Sequence, residues 1–247
     1  MPKKSKVKEI VKEVPKKSIE KSFSKDIERI PSGIPGLDNL MEGGFVKGST
    51  VLISGAAGTG KTIFCSQYLM EGLRRGEICM FITLEESPED IIGDVKRFGW
   101  DLQKYVNDKK LFLRYEDPFQ MTDIIGPLID EIKDHQVQRV AIDSTALLEM
   151  YYEKPSDVRK QLFKLLSELK KIGVTSIITS ELLEETKSLS KWNVEEFIVD
   201  GVIKLEFLGL GGRADFNLQI RKMRRTNHEK QTYAFEISKN GLAVKEI

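Results

Sequence analysis

The chain of 247 residues lacks the features that would place it in a membrane or outside the cell. No apolar run approaches the ~18 residues needed to cross a bilayer, and the lysine-rich beginning has no apolar segment typical of a signal peptide. Its only cysteines, Cys65 and Cys79, lie too far apart to form a metal or redox motif. The net charge of +1 excludes a polyelectrolyte binder. We therefore predict a cytoplasmic protein with reduced, packed thiols and no membrane contact.

The first 25 residues differ in composition from the rest of the chain. They contain nine lysines against three glutamates and few apolar residues, and Pro15 interrupts any helix. We predict a basic arm over residues 1–28 and a folded domain over residues 29–247. Two interpretations of the arm stay open: a solvated tail without a partner, or a weak contact with nucleic acid or an acidic protein.

Beyond the arm, short apolar runs alternate with helical patterns. The runs predict buried parallel strands over Ser49–Ser54, Cys79–Leu84, Leu111–Tyr115, Arg139–Asp143 and Val174–Ser180. The helical patterns lie over Lys61–Gly76, Pro88–Phe98, Met121–His135 and Val158–Ile172. Strands without helices follow over Gly201–Leu208, Ala214–Met223, Tyr233–Ser238 and Leu242–Val244. This order predicts an α/β fold with a mainly parallel, twisted sheet flanked by helices and a C-terminal antiparallel extension.

A glycine-rich segment joins the first predicted strand to the first helix. Its residues, Gly55-Ala56-Ala57-Gly58-Thr59-Gly60-Lys61-Thr62, fit the pattern G-x-x-x-x-G-K-[ST]. The glycines allow successive N–H groups to face one anion, and the helix adds the positive end of its dipole. Lys61 would neutralise the β- and γ-phosphates of a nucleoside triphosphate, and Thr62 would place its hydroxyl on Mg²⁺. The segment therefore predicts a phosphate-binding loop.

Several carboxylates follow the predicted parallel strands. Asp143 ends the fourth strand, where the Mg²⁺ shell needs a carboxylate. Glu85 and Glu86 follow the second strand, where one of them would orient the water that attacks the γ-phosphate. The alternative is a pair of solvated loop acids at a helix start. Ser180 and Glu181 end the fifth strand and are either γ-phosphate sensors or a helix cap.

A second basic segment, Arg221-Lys222-Met223-Arg224-Arg225, follows a strand pattern near the C-terminus. Strand alternation places Lys222 and Arg224 on one face, where two cations can clamp a phosphate. Such cations often come from a neighbouring subunit in phosphate-loop assemblies. A solvated basic edge that discourages strand pairing is the alternative, and residue chemistry alone leaves both open.

These segments together resemble the KaiC family of RecA-like ATPases. The resemblance runs from about Ile30 to the C-terminus. It is carried by Ser32–Asp38, the phosphate-binding loop, Leu84–Ile91, Arg97–Leu102, Arg139–Ser144 and Lys222–His228. It implies a RecA-like fold and a hexamer that binds ATP between its subunits. The chain resembles one such domain, preceded by its basic arm.

Carried over position by position, the resemblance also implies roles for single residues. Phosphates and Mg²⁺ would be held by Gly58, Thr59, Gly60, Lys61, Thr62 and Ile63. Glu85 would be the catalytic carboxylate and Glu86 its partner, while Arg97 would contact the nucleotide. Lys222 and Arg224 would reach the γ-phosphate of the adjacent protomer, and Met223, Thr226 and His228 would line the rest of the nucleotide. These assignments favour the clamp from a neighbour over the solvated edge.

The resemblance leaves some points open. The family often has glycine where Arg225 stands. An arginine can still occupy an extended conformation there, so binding need not fail, but the conformation of the local turn stays open. ATP hydrolysis by an oligomer is the leading expectation, while autokinase activity and a protein partner stay open. The rivals are a recombinase-like ATPase acting on nucleic acid and an ATP-dependent scaffold with little hydrolysis. Acidic residues outnumber basic ones in Glu149–Asp157 and Glu181–Glu196, which disfavours a DNA channel there.

Overall fold

The structure is a computed structural model that describes residues 27–115, 125–145, 152, 154–184, 186, 188–209 and 216–245. The predicted basic arm lies outside these residues except for its last two positions, so its boundary stays a prediction. Residues 121–124, which begin the predicted Met121–His135 helix, also lie outside them. So does part of the predicted loop over Glu149–Asp157.

The predicted strands and helices occur within the described residues in the predicted order. The structure adds two short strands, Arg29–Ile30 and Phe45–Val46, and two short helices, Leu102–Asn107 and Glu195–Ile198, which the sequence did not predict. The strands are β1 (Arg29–Ile30), β2 (Phe45–Val46), β3 (Thr50–Gly55), β4 (Cys79–Thr83), β5 (Leu111–Tyr115), β6 (Arg139–Asp143), β7 (Thr175–Glu181), β8 (Gly201–Phe207), β9 (Phe216–Met223), β10 (Thr232–Ser238) and β11 (Gly241–Val244). The helices are α1 (Lys61–Arg74), α2 (Pro88–Val95), α3 (Leu102–Asn107), α4 (Ile125–Asp134), α5 (Pro155–Lys171) and α6 (Glu195–Ile198). Short 3₁₀ turns cover Asp38–Met41 and Lys96–Phe98.

Nine strands form one sheet in the order β11-β10-β9-β8-β3-β7-β6-β4-β5. Neighbours run parallel from β8 to β5 and antiparallel from β8 to β11. The predicted α/β class is confirmed. One detail differs, because β8 was expected only in the antiparallel extension and also pairs in parallel with β3. The phosphate-binding loop therefore follows a strand with parallel neighbours on both sides.

Apolar residues cover both faces of the parallel strands. Along β3, Val51 and Ile53 pack in a core with Phe64 of α1, while Leu52 packs in a second core with Leu166 of α5. This alternation follows from the two-residue period of a strand, and a strand buried on both faces needs apolar residues at every position. Helices on both faces thus hold the sheet and fix the position of its edges.

One arginine lies within the core. Arg139 at the start of β6 is fully buried, and its guanidinium donates hydrogen bonds to the carbonyls of Pro31 and Tyr68 and to the carboxylate of Glu77. These bonds satisfy a charge that burial would otherwise penalise heavily. Arg139 thereby joins the N-terminal segment to α1. Among the described residues, no helix combines the length and apolar composition of a membrane span.

Candidate nucleotide-binding site

The phosphate-binding loop connects β3 to α1. Gly55 ends the strand and Lys61 begins the helix. Between them Gly58 and Gly60 adopt positive φ angles of 75° and 92°, which side chains rarely allow. The backbone thus turns sharply before α1, whose first N–H groups have no partner within the helix and are available to an anion.

Neighbouring strands press closely on this loop. A Cβ atom at Gly55 would lie 2.5 Å from Thr59 Oγ1 and 2.7 Å from the Leu205 carbonyl oxygen of β8. A Cβ atom at Gly60 would lie 2.9 Å from Cδ1 of Ile237 on β10. Gly55 is therefore required for close packing against β8, whereas Gly58 and Gly60 are favoured by their backbone conformation. Thr59 further fixes the loop by donating from its hydroxyl to the Ala56 carbonyl at 2.8 Å.

Lys61 folds back over the loop. Its Nζ donates to the carbonyl oxygens of Gly55 at 3.0 Å and Ala56 at 2.9 Å. The ammonium group thus lies over the same turn that presents the loop N–H groups. These two bonds can be exchanged for bonds to phosphate oxygens without moving the helix.

Thr62 and Asp143 meet directly at the carboxyl edge of the sheet. The Thr62 hydroxyl donates to Asp143 Oδ2 at 2.7 Å, and the Thr179 hydroxyl of β7 donates to Asp143 Oδ1. Burial raises the pKa of Asp143 above its ordinary value, and the two hydroxyl bonds partly offset this. A hydroxyl and a carboxylate in contact form a set of hard oxygen ligands of the kind that Mg²⁺ prefers.

Glu85 and Glu86 lie at the same edge in different environments. Glu85 is exposed, and its Oε1 accepts a hydrogen bond from the Ser144 hydroxyl at 2.6 Å. Glu86 is half-buried, and Thr83 fixes its backbone through a 2.8 Å bond from the hydroxyl to the Glu86 carbonyl. Within the described part of the chain, Oε2 of Glu86 is buried without a hydrogen-bond partner. The two acids are therefore not equivalent.

A cavity of about 290 Å³ lies between the phosphate-binding loop and Glu86. It is lined by Gly58, Gly60, Lys61, Thr62, Ile63, Ser66, Glu86, Ile91, Asp94, Val95, Arg97 and Phe98. The Arg97 guanidinium lies 4.7 Å from the centre of the Phe98 ring, so the ring holds the cation at the cavity wall. Burial, followed by repulsion from Asp143 and Asp94, raises the pKa of Glu86. The structure thus brings together the predicted loop, Glu86 and Arg97.

The predicted basic clamp lies elsewhere. Val51 of β3 pairs with Gly201 of β8, which in turn pairs with Met223 of β9. Lys222 and Arg224 therefore lie beside the amino end of β3. At about 3.3 Å per residue, the strand's carboxyl end is about 13 Å further along. The two cations and the phosphate-binding loop of one chain thus occupy opposite edges of the sheet.

Both cations contact the segment that follows β7. Lys222 Nζ donates to the carbonyls of Glu196 at 2.8 Å and Val199 at 2.7 Å. The Arg224 guanidinium, half-exposed, donates to Asp200 Oδ1 at 3.4 Å. Burial, and then repulsion by Arg224, lowers the pKa of the Lys222 ammonium.

The basic tail, residues 222–229, contains three further predicted nucleotide contacts, and these differ in burial. Met223 is buried, and its Sδ would lie 2.6 Å from a Cβ atom at Gly201, so the side chain packs within its own chain. Thr226 and His228 are half-buried beyond the strand. Arg225 has a φ of 57°, so its backbone is left-handed rather than extended. A turn at this point requires the left-handed conformation that glycine adopts most easily.

Sequence reasoning missed some contacts of the site. Ser180 was considered as a γ-phosphate sensor, but its hydroxyl accepts from the Lys191 N–H at 3.0 Å and donates to the buried Glu195 at 3.3 Å. Thr179 is the residue that reaches Asp143. Strand alternation could have shown that Thr179 and Ser180 have different surroundings, because adjacent residues of a strand point to opposite faces of the sheet. Ser144, which holds Glu85, carried no signal beyond its position after Asp143.

The chain is similar to known proteins in sequence and in fold. The profile of the family described as "ATPase: KaiC" matches residues 30–247. The circadian clock oscillator protein KaiC of Synechococcus elongatus is 36% identical over 229 residues, which cover 88% of this chain and 44% of that protein. The corresponding protein of Prochlorococcus marinus is 35% identical over 88% of this chain and 46% of its own length. The chain thus spans slightly less than half the length of these relatives.

A solved structure has a similar fold along its whole length. It is the crystal structure of a KaiC-like protein from the hyperthermophilic archaeon Pyrococcus horikoshii OT3. The TM-score is 0.79 at 36% sequence identity, and the match covers 89% of this chain and 100% of that one. The likeness therefore extends to a protein of similar length as well as to longer ones.

Proposed function

The chain belongs to the KaiC family of ATPases, and from this we propose that it binds ATP with Mg²⁺ and hydrolyses it slowly between the subunits of a homo-oligomeric ring. One observation carries the proposal. The phosphate-binding loop, Asp143 and Glu85 meet at one edge of the sheet, while Lys222 and Arg224 lie at the opposite edge. A neighbouring subunit can bring the second edge to the first, and a single chain cannot.

The loop residues fit a triphosphate and its metal. The backbone N–H groups of Gly58, Thr59, Gly60 and Ile63 would donate to phosphate oxygens, and Lys61 would exchange its two carbonyl bonds for bonds to phosphate. Thr62 and Asp143 would hold Mg²⁺, because their oxygen atoms are already in contact at 2.7 Å. When bound, Mg²⁺ neutralises charge on the phosphate oxygens.

Glu85 would act on the attacking water. Its carboxylate is exposed at the edge of the site and is oriented by the Ser144 hydroxyl. It would accept a hydrogen bond from a water whose oxygen attacks the γ-phosphorus, while the bond to the bridging oxygen breaks and ADP leaves. Glu86, which is half-buried and lines the cavity, would support Glu85 and the water rather than act as the base. Positioning contributes more than basicity when the transition state is loose.

Lys222 and Arg224 would complete the site of the adjacent subunit. Both side chains point to the same side of the tail. In the single chain they donate hydrogen bonds to residues 196–200. In the ring they would stabilise negative charge on the γ-phosphate, and Thr226 and His228 would contact the rest of the nucleotide. A slow ATPase of this kind would gate an assembly or a partner protein. Contact of the basic arm with nucleic acid stays the alternative.

The test compares Glu85→Gln with the neighbouring Glu86→Gln. Loss of the Glu85 carboxylate should lower kcat by about 10²–10⁴-fold, with ATP affinity unchanged, because the group acts only on the attacking water. Glu86→Gln should lower kcat much less. Steady-state phosphate release and nucleotide binding are measured on each variant, with Lys61→Ala as the reference that loses binding.

Two results would argue against this assignment. Unchanged turnover in Glu85→Gln would place the base elsewhere. Tight ATP binding by the unaltered chain without any phosphate release would make the protein an ATP-dependent scaffold rather than an enzyme.

A further inference from the structure

Arg29, near the start of the described residues, reaches the turn that follows the basic clamp. The Arg29 side chain is 13% exposed. It donates to five acceptors: the carbonyls of Met41 at 3.1 Å, Gly44 at 3.1 Å and Arg225 at 3.0 Å, the hydroxyl of Thr226 at 3.0 Å and Glu42 Oε2 at 2.8 Å. The two terminal nitrogens of the guanidinium thus join two loops that are far apart in sequence.

Glu42 supplies the second half of this connection. The same oxygen that accepts from Arg29 also accepts from the Asn227 N–H at 3.2 Å. Next to it, the Glu229 N–H donates to the Leu40 carbonyl at 3.0 Å. The part of the basic tail from Arg225 to Glu229 is therefore held against the 3₁₀ turn at Asp38–Met41 and the residues that follow this turn.

The backbone of the tail needs such a support. Arg225 has a φ of 57°, and this left-handed conformation is unfavourable for a residue with a side chain. Arg29 holds the Arg225 carbonyl, and Glu42 holds the N–H of Asn227 two residues on. Without these bonds the turn would relax toward more common conformations, and Arg224 before it would change direction.

Arg29 lies far from the phosphate-binding loop of its own chain. The segment that follows it packs on the end of α1, since a Cβ atom at Gly33 would lie 2.5 Å from Cβ of Glu71. Glu71 lies in the last turn of α1, about 15 Å from Lys61 at about 1.5 Å per residue. An effect of Arg29 on its own loop is therefore not expected from contacts.

We propose that Arg29, together with Glu42, is a positioning residue for ATP hydrolysis at the neighbouring subunit's site. It fixes the turn at Arg225 and thereby aims Arg224, Thr226 and His228 at the nucleotide that the neighbour's loop binds. This inference rests on the proposed function, because it needs a site shared between two chains. Arg29 touches neither nucleotide nor metal and acts only through the tail.

The variants separate this role from general stability. Arg29→Lys keeps the charge but cannot supply the fork of donors, so the carbonyl of Arg225 and the hydroxyl of Thr226 lose their partner. Glu42→Gln keeps the shape and removes only the charge that holds Arg29 and Asn227. Lys47→Ala is the matched control, since it removes an exposed ion pair with Glu28 beside β1 and touches no tail residue.

The experiment mixes each variant with an excess of Glu85→Gln and measures phosphate release per variant subunit. Glu85→Gln subunits have no catalytic carboxylate but carry an intact tail. Alone, Arg29→Lys should lose about 10–100-fold in kcat with little change in KM for ATP, because misplacing a group that acts in the transition state has this effect. In the mixture its intact loop should regain turnover from the tail of a Glu85→Gln neighbour.

Arg224→Ala mixed with Glu85→Gln serves as the reference. Rescue of Arg224→Ala without rescue of Arg29→Lys or Glu42→Gln would overturn the positioning role and leave the shared site intact. Failure of all three mixtures would overturn the shared site itself and the inference with it. If Arg29→Lys does not fold, Glu42→Gln decides the question, with a smaller loss and the same rescue expected. Lys47→Ala should match the unaltered chain throughout.

Discussion

At the scale of single residues, Glu86 beside the phosphate-binding loop has a raised pKa. Glu86 is half-buried, and burial is the largest cause of its raised pKa. Repulsion from Asp143, Asp94, Glu85 and Asp90 adds to it in that order. Such a cluster opposes folding at neutral pH, when the carboxylates are charged, and a bound cation would relieve it.

Glu86→Gln should therefore stabilise the nucleotide-free protein at neutral pH. Because the folded-state pKa is raised above 4.5, the native state binds the proton more tightly than the unfolded state. The stability of the unaltered chain then falls as pH rises from about 4.5 through the raised pKa. Glutamine removes this loss, worth less than about 1 kcal/mol after solvent screening.

Urea unfolding at about pH 7 and near pH 4 measures this difference. The gain should be present at neutral pH and vanish in acid, where both side chains are uncharged. Glu89→Gln, on the exposed side of the same helix start, should show no such gain. A Glu86→Gln protein that is less stable than the unaltered chain at neutral pH would contradict this account.

Single-residue signals in the sequence were strong only where chemistry and spacing coincide. The loop pattern and the strand-ending aspartate predicted Thr62 and Asp143, which the structure joins. The roles of Thr179 and Arg29 could not be read in this way. Their hydrogen-bond partners are far away in sequence, and a threonine hydroxyl or a single arginine can have many different roles in a protein.

At the scale of elements, hydrophobic periodicity predicted where strands and helices lie. It could not predict the pairing of β8, because alternation is the same for parallel and antiparallel neighbours. The pairing of Val51 with Gly201 depends on the tertiary structure, because the segment between β7 and β8, which contains α6, determines where β8 lies. The same register decides that the clamp lies at the edge opposite the loop.

Close packing between α1 and β6 gives a test at this scale. A Cβ atom at Gly72 of α1 would lie 2.7 Å from Cδ and Nε of Arg139 and 3.0 Å from Cys79 Sγ. Gly72→Ala should therefore destabilise the fold by about 1–3 kcal/mol, although alanine favours helices. Gly93→Ala, in the exposed part of α2 with no atom within 4 Å, should stabilise by about 0.5–1 kcal/mol.

Thermal or urea unfolding of both alanine variants provides the measurement. Opposite signs are expected because the two helices have similar backbones but different neighbours. Equal stabilisation at both positions would show that Arg139 can move away at little cost. The contact of this buried arginine with α1 would then be looser than its hydrogen bonds indicate.

At the scale of the whole molecule, the two edges of one sheet carry two halves of one proposed site. The loop with Asp143 and Glu85 occupies the carboxyl edge, and the tail with Lys222 and Arg224 occupies the other. Two copies placed edge to edge would bring the halves together. Repeating this contact around an axis gives a ring, in which every contact is the same and no half is left over.

The mass of the unaltered chain in solution, with and without ATP and Mg²⁺, tests this claim most directly. We expect a nucleotide-dependent assembly of about six chains, the size that the resemblance to the KaiC family implies, with identical contacts between all neighbours. Lys61→Ala, which cannot hold the nucleotide, should not show the increase. If the mass is that of a single chain in both states, and this single chain binds and hydrolyses ATP, the result would contradict the shared site.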